Sequence, residues 1–123
     1  MHKFLKYAVQ EAQKSDFRQL MGAIIYDKNR IISYGYNTAQ RSVKHLLQKY
    51  QRWPYSVHAE VAAIINSKTN IKGMNMLVVR VNTKNQLRYA RPCDHCLSYI
   101  NYVKIKKVYF SLDEYPYIDC INL

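Results

Sequence analysis

Two short segments hold the residue types that chemistry needs. His58-Ala59-Glu60 places an imidazole two residues from a carboxylate, and Pro92-Cys93-Asp94-His95-Cys96 places two thiols three residues apart. At a helix start this spacing lets both sulfurs reach one ion, and the helix N-terminus favours their thiolate charge. Zinc takes four ligands and prefers Cys sulfur and His nitrogen. Cys93 and Cys96 supply two and His58 a third, which leaves the fourth position for water, as in a catalytic site. A water acidified by zinc needs a group to carry its proton to a departing amine, and Glu60 suits that task. Glu60 is also the only acid from Lys28 through Cys93, a stretch with twelve Lys and Arg.

The elements around these segments follow from periodicity. Leu5, Ala8, Val9 and Ala12 share one helical face, which predicts an amphipathic helix over Phe4 to Arg18. Leu20 to Tyr26 reads as a buried strand and Ile31 to Tyr36 as its hairpin partner, joined by the polar turn Asp27 to Arg30. His58 to Ser67 predicts a helix with Val61, Ile64 and Ile65 on its core side. Asn75 to Val81 is a strand, Cys93 to Val103 a helix whose start suits the preceding Pro92, and Lys107 to Ser111 a strand. Only twelve residues follow Ser111, roughly what a parallel crossover needs before its next strand begins. A last strand at Tyr117 to Ile121 should therefore return antiparallel. The expected architecture is a single α/β domain over 1–123, a three-layer α/β/α arrangement with a mixed sheet of about five strands.

Composition bounds the rest. The chain has 123 residues, 49% apolar and 22% charged, which fits one globular domain. Nineteen Lys+Arg against eight Asp+Glu give a net charge of +11, so anionic company is expected, such as nucleotides or nucleic acid. Twelve tyrosines suit base stacking as well as cores. No apolar run approaches the ~18 residues of a membrane span, and the N-terminus lacks the long apolar stretch of a secretion signal. Three cysteines, two of them adjacent in function, make no disulfide framework. The expectation is a soluble cytoplasmic protein with reduced thiols and no membrane partner.

His-Ala-Glu followed by Pro-Cys-x-x-Cys resembles the signature of the zinc-dependent cytidine deaminase superfamily. Thirty-one residues separate Glu60 from Pro92, room for a helix, a loop and a strand. The resemblance implies one zinc per chain on His58, Cys93 and Cys96, with Glu60 as general acid/base. It also implies attack of hydroxide on the amine-bearing ring carbon, with ammonia leaving. Asn37, in Gly35-Tyr36-Asn37, occupies the place where the family holds the sugar, and the backbone around Ala59 and Pro92 should lie against the base. His58 is the deoxycytidylate- and tRNA-type choice where free cytidine deaminases usually carry Cys, whereas the antiparallel ending is more like the cytidine branch. A second zinc, known in some deoxycytidylate enzymes, would find only His45 before the main motif. Relatives form homo-oligomers, and the helix faces around Val61 and Ile100 are candidates for a subunit contact.

The remaining residues take plainer roles. His95 should face out of its helix, His2 and His45 should lie on the surface, and Cys120 should be a buried thiol. Arg80 and Arg88 read as the polar face of a strand. Arg91, beside Pro92, is a phosphate candidate. Residues 38–57 carry Arg41, Lys44, Lys49 and Arg52 interleaved with Tyr50, Trp53 and Tyr55, and a short helix is expected around Val43, Leu46, Leu47 and Tyr50. This segment suits either a solvated face or a groove for single-stranded nucleic acid. Three functions follow in order. The first is deamination of a cytosine nucleoside or nucleotide to uracil, and the second is deamination of cytosine or adenine in single-stranded DNA or RNA. The third is a non-catalytic zinc module that binds nucleic acid.

Overall fold

The computed structural model describes residues 2–16, 19–38 and 58–123. The basic-aromatic segment, with the short helix expected there and His45, falls at residues 39–57, outside the described residues. Helix α1 covers Leu5–Ala12, α2 Ala59–Ser67 and α3 Asp94–Tyr102. The strands are β1 Leu20–Asp27, β2 Arg30–Tyr36, β3 Asn75–Val81, β4 Leu87–Arg88, β5 Lys107–Ser111 and β6 Ile118–Asn122. They form one sheet in the order β2-β1-β3-β5-β6, with β4 added to β3. The sheet is mixed: β3 and β5 run parallel, and β1–β2, β1–β3, β3–β4 and β5–β6 run antiparallel.

The central strands β1 and β3 read as nearly continuous apolar runs because both of their faces are covered. Ile24, Tyr26, Leu77, Val79 and Val81 point to α1 with Phe4, Ala8 and Ala12. Ala23, Ile25, Met76, Val78, Val108 and Phe110 point to α2 and α3 with Ala63, Ile64, Cys96 and Ile100. The strand period of two therefore divides the core into two layers, and both chemical segments fall on the same side. The expected three-layer sheet and its antiparallel last strand are present, with β4 as a sixth strand.

Several local expectations are corrected. Helix α1 ends at Ala12, six residues short of Arg18, because Lys14 and Ser15 form tight bonds to Glu11 and Ala12 carbonyls instead of continuing the helix. The four-residue turn contracts to Lys28-Asn29, since Asp27 pairs with Arg30 and Lys28 takes a left-handed φ of 53°. The register skips one residue of β2 between Ser33 and Ile31, a bulge at Ile32. His2 is half-buried, not a surface residue. Its Nδ1 accepts the Phe4 N–H at 3.1 Å, its Nε2 lies 2.8 Å from the Tyr26 hydroxyl, and its ring meets Tyr26 and Tyr109 edge-on.

Two contacts seat α2. Ser33 Oγ donates to the Ala63 carbonyl at 2.6 Å. A β-carbon on Gly35 would collide with the backbone of α2, at Ala63 N and at Ala59 O 2.6 Å away. The helix sits directly on β2, and only glycine permits it. Gly35→Ala is expected to lift α2 from the sheet, lowering stability by roughly 1–3 kcal/mol and weakening metal binding through His58. A urea melt with a chelator titration measures both, and unchanged values would show that α2 tolerates the shift.

Burial lowers the His2 imidazole from 6.5 to about 4, with the Lys3 charge adding to it. Between those values the unfolded chain binds a proton that the native chain refuses. This contribution is therefore complete above pH 6.5 and lost as pH falls toward about 4. Replacing His2 with Phe should flatten the pH dependence of the urea midpoint over that window, and an equally steep dependence in the variant would assign the slope elsewhere.

Candidate metal centre

The N-termini of α2 and α3 meet on one face of the sheet. His58 is the N-cap residue of α2 and Cys93 that of α3, and neither side chain caps its own helix. Their carbonyls start the helices, accepting from Ala62 N at 3.0 Å and Leu97 N at 2.9 Å. Their side chains turn toward each other instead. Cys96, one turn into α3, completes the group and is buried. One nitrogen and two sulfurs lie within 4.8 Å of one another, and His58 Nδ1 is 3.1 Å from Cys96 Sγ.

The donor set fits zinc. Bonds of about 2.0–2.3 Å place tetrahedral donors roughly 3.5–3.8 Å apart, and two thiolates with one imidazole match its preference. The electrostatics agree. Hydrogen bonding with Cys93, burial and the neighbouring Glu60 all push the Cys96 thiol far up. A dication placed among these groups reverses that penalty.

Glu60 lies in the first turn of α2 and is 2% exposed. Its Oε1 is buried without a hydrogen-bond partner among the described residues. Burial pushes its carboxyl up from the ordinary carboxylate range, and backbone hydrogen bonding and His58 offset this only in part. A buried, unpartnered carboxylate oxygen is costly unless something at the site uses it.

The other expected site residues are distributed as follows. Ala59 and Pro92 are fully buried beside the two N-caps. Arg91 is exposed, with Nη1 3.9 Å from Asp94 Oδ1. Asn37 is buried just beyond β2, the strand that runs under α2 toward its N-terminus. Its Nδ2 donates to Gln19 O at 2.7 Å and its Oδ1 accepts from Met21 N at 3.1 Å, so the amide ties β2 to the start of β1. His95 does not face outward, since its Nε2 is buried. It is not among the three converging donors. Cys120 is half-buried and, like the other two cysteines, a thiol. Val61 and Ile100, the candidates for a subunit contact, lie within the chain's own core. The sequence reading missed Gly35 and Ser33 as residues that place α2. A glycine inside a strand pattern was the available signal.

The family model for the cytidine and deoxycytidylate deaminase zinc-binding region matches residues 1–112. The chain belongs to this family. Among curated relatives, deoxycytidylate deaminase of Pongo abelii is 32% identical over 126 residues, and that of Homo sapiens 31% over 124 residues. Each match covers 91% of this chain, which spans only 64% of the relative's length. Among solved structures, the dCMP deaminase from cyanophage S-TIM5, in complex with dCMP and dUMP, superposes with a TM-score of 0.57 at 24% identity, covering 91% of this chain and 84% of that one. Acinetobacter baumannii RibD superposes with a TM-score of 0.57 at 15% identity, covering 89% of this chain and 27% of that one. These two structures show a shared fold. No helix among the described residues is long and apolar enough to cross a membrane.

His58, Cys93 and Cys96 can thus hold one metal ion, and the family model is that of a zinc-binding region. His58→Ala, Cys93→Ser and Cys96→Ser should each lose stoichiometric zinc in metal analysis of the purified protein. Glu60→Gln should retain it, and zinc loss there would make Glu60 a ligand.

Proposed function

We propose that this chain is a zinc-dependent hydrolase that converts the cytosine of a deoxycytidylate-type nucleotide to uracil. The observation that carries the reading is Glu60, a buried carboxylate with an unpartnered oxygen beside a three-donor metal site. The deoxycytidylate deaminases among the relatives support the nucleotide over the free nucleoside.

Zinc held by His58, Cys93 and Cys96 would supply a water whose pKa is lowered to near neutrality. Glu60 holds the proton of that water at Oε1 and delivers it to the departing amine. Its raised proton affinity suits both acceptance and return. The balance is one water consumed and one ammonia released, with the water oxygen kept as the uracil carbonyl. The backbone at Ala59 and Pro92, already withdrawn from solvent, bounds the base and excludes bulk water. Asn37 spends one amide hydrogen on Gln19 and offers the second to a sugar hydroxyl. The exposed guanidinium of Arg91, weakly engaged by Asp94, takes the phosphate.

One observation favours the single-strand reading. Tyr89 and Tyr115 are exposed, Tyr89 two residues before Arg91, and aromatic rings beside a cation suit a strand of bases. A deamination assay at equal cytosine concentration separates the two. It would offer deoxycytidine, deoxycytidylate and a cytosine-containing single strand, with Glu60→Ala as the blank. Deoxycytidylate should turn over, Glu60→Ala should lose at least a hundredfold, and Arg91→Ala should raise KM for the nucleotide but not for the nucleoside. Turnover of the strand alone would replace the proposal with an editing enzyme. Full activity in Glu60→Ala would remove the mechanism.

A further inference from the structure

The parallel pairing of β3 and β5 stops at Val78↔Phe110. Beyond that point β4 takes the place beside β3, pairing Arg80 with Arg88 and Val81 with Leu87. Ser111 stands where the partner changes. It is fully buried, its Oγ accepts from Arg80 N at 3.0 Å, and the same hydroxyl donates to Arg88 O at 2.6 Å. One side chain thus reaches from the end of β5 to both members of the first β3–β4 pair. The Ser111 carbonyl then accepts from Ala90 N at 2.9 Å, and Asp113 Oδ1 accepts from Tyr89 N at 2.8 Å.

Three consecutive residues, Arg88, Tyr89 and Ala90, are therefore fastened to the end of β5. Arg91, Pro92 and Cys93 come next. Proline has no N–H and a fixed φ, so it transmits the position of what precedes it but makes no donor contact of its own. The place of Cys93 is set on one side by α3 and on the other by this fastening. We propose that Ser111 and Asp113 are positioning residues that hold residues 88–90, and through Pro92 hold Cys93, in the geometry the metal requires. The inference rests on the reading of His58, Cys93 and Cys96 as the zinc site.

The test uses the full chain and reads metal binding directly. Zinc affinity would be measured by chelator competition, coordination by the visible absorption of the cobalt-substituted protein, and stability by urea midpoint. Ser111→Ala and Asp113→Ala should weaken zinc roughly 10- to 100-fold, as supporting contacts of metal ligands do, with Ser111→Ala the larger. Both should shift the cobalt bands. Ser111→Thr keeps the hydroxyl, Asp113→Asn keeps the Oδ1 acceptor, and both should recover the wild-type spectrum. Ser111→Ala takes a hydrogen-bond partner from Arg80 N and Arg88 O and risks misfolding, so Asp113→Ala, at an exposed position, decides the matter. If it binds zinc as tightly as wild type with an unchanged cobalt spectrum, the proposal is overturned, whatever happens to the urea midpoint. A wild-type chain that binds cobalt at these residues but deaminates no cytosine compound would overturn the function reading and leave the positioning role intact. A wild-type chain that binds no metal would overturn both.

Discussion

Two helices begin at the same point in space with the wrong residues at their caps. A helix start leaves N–H groups without partners, and Ser, Thr, Asp or Asn at the cap normally satisfies one of them, worth about 0.5–2 kcal/mol. Here the caps are His58 and Cys93, and both side chains point away from the N–H groups they would serve. Their helices do without that contribution, and the geometry left behind is a pair of positive dipole ends side by side. Two thiols and a carboxyl are gathered at that point. In this protein the helix starts and the metal site are one arrangement.

The sheet makes such an arrangement durable. Strands β1 and β3 are covered on both faces, so the helices on the α2/α3 side rest on a surface that cannot yield. Ser33 and Gly35 fix α2 at backbone contact with β2. That contact carries Glu60 into the interior, where burial raises its proton affinity. The carboxylate's chemistry thus begins with a missing side chain two strand positions from a serine.

The parts legible in the sequence were those with either rare side chains or long uniform patterns. Strands β3 and β5 appear with the expected bounds, because an apolar run between polar turns allows one register. The metal donors were legible because Cys-x-x-Cys at a helix start constrains both sulfurs locally. Helix α1 was read too long, since the spacing of Leu5, Ala8, Val9 and Ala12 shows that a helix exists but the apolar face gives no signal for its end. Strand β4 has two residues, too few for any period to register. His2 and His95 were misplaced for a different reason. The burial of His2 comes from rings on strands far along the chain, and a lone histidine carries no local sign of its surroundings. Asn37 was singled out by its place after β2, but the backbone bonds that occupy its amide only exist once β1 and β2 have paired.

The β3–β4 connection has one more property. Asn82 Oδ1 accepts from both Lys84 N and Gln86 N at 2.9 Å, and Asn82 Nδ2 donates to Gln86 Oε1 at 2.8 Å. The tip is thus closed on itself. Its described contact with the rest of the chain is Gln13 Nε2 donating to Asn85 Oδ1 at 3.0 Å, on the exposed surface. The residues that must stay in register begin only afterwards, at Leu87. A tip sealed in this way insulates its neighbours from its own length. Within this architecture it is the segment where residues can be gained, lost or exchanged for a grafted peptide while the six residues leading to Cys93 stay where they are.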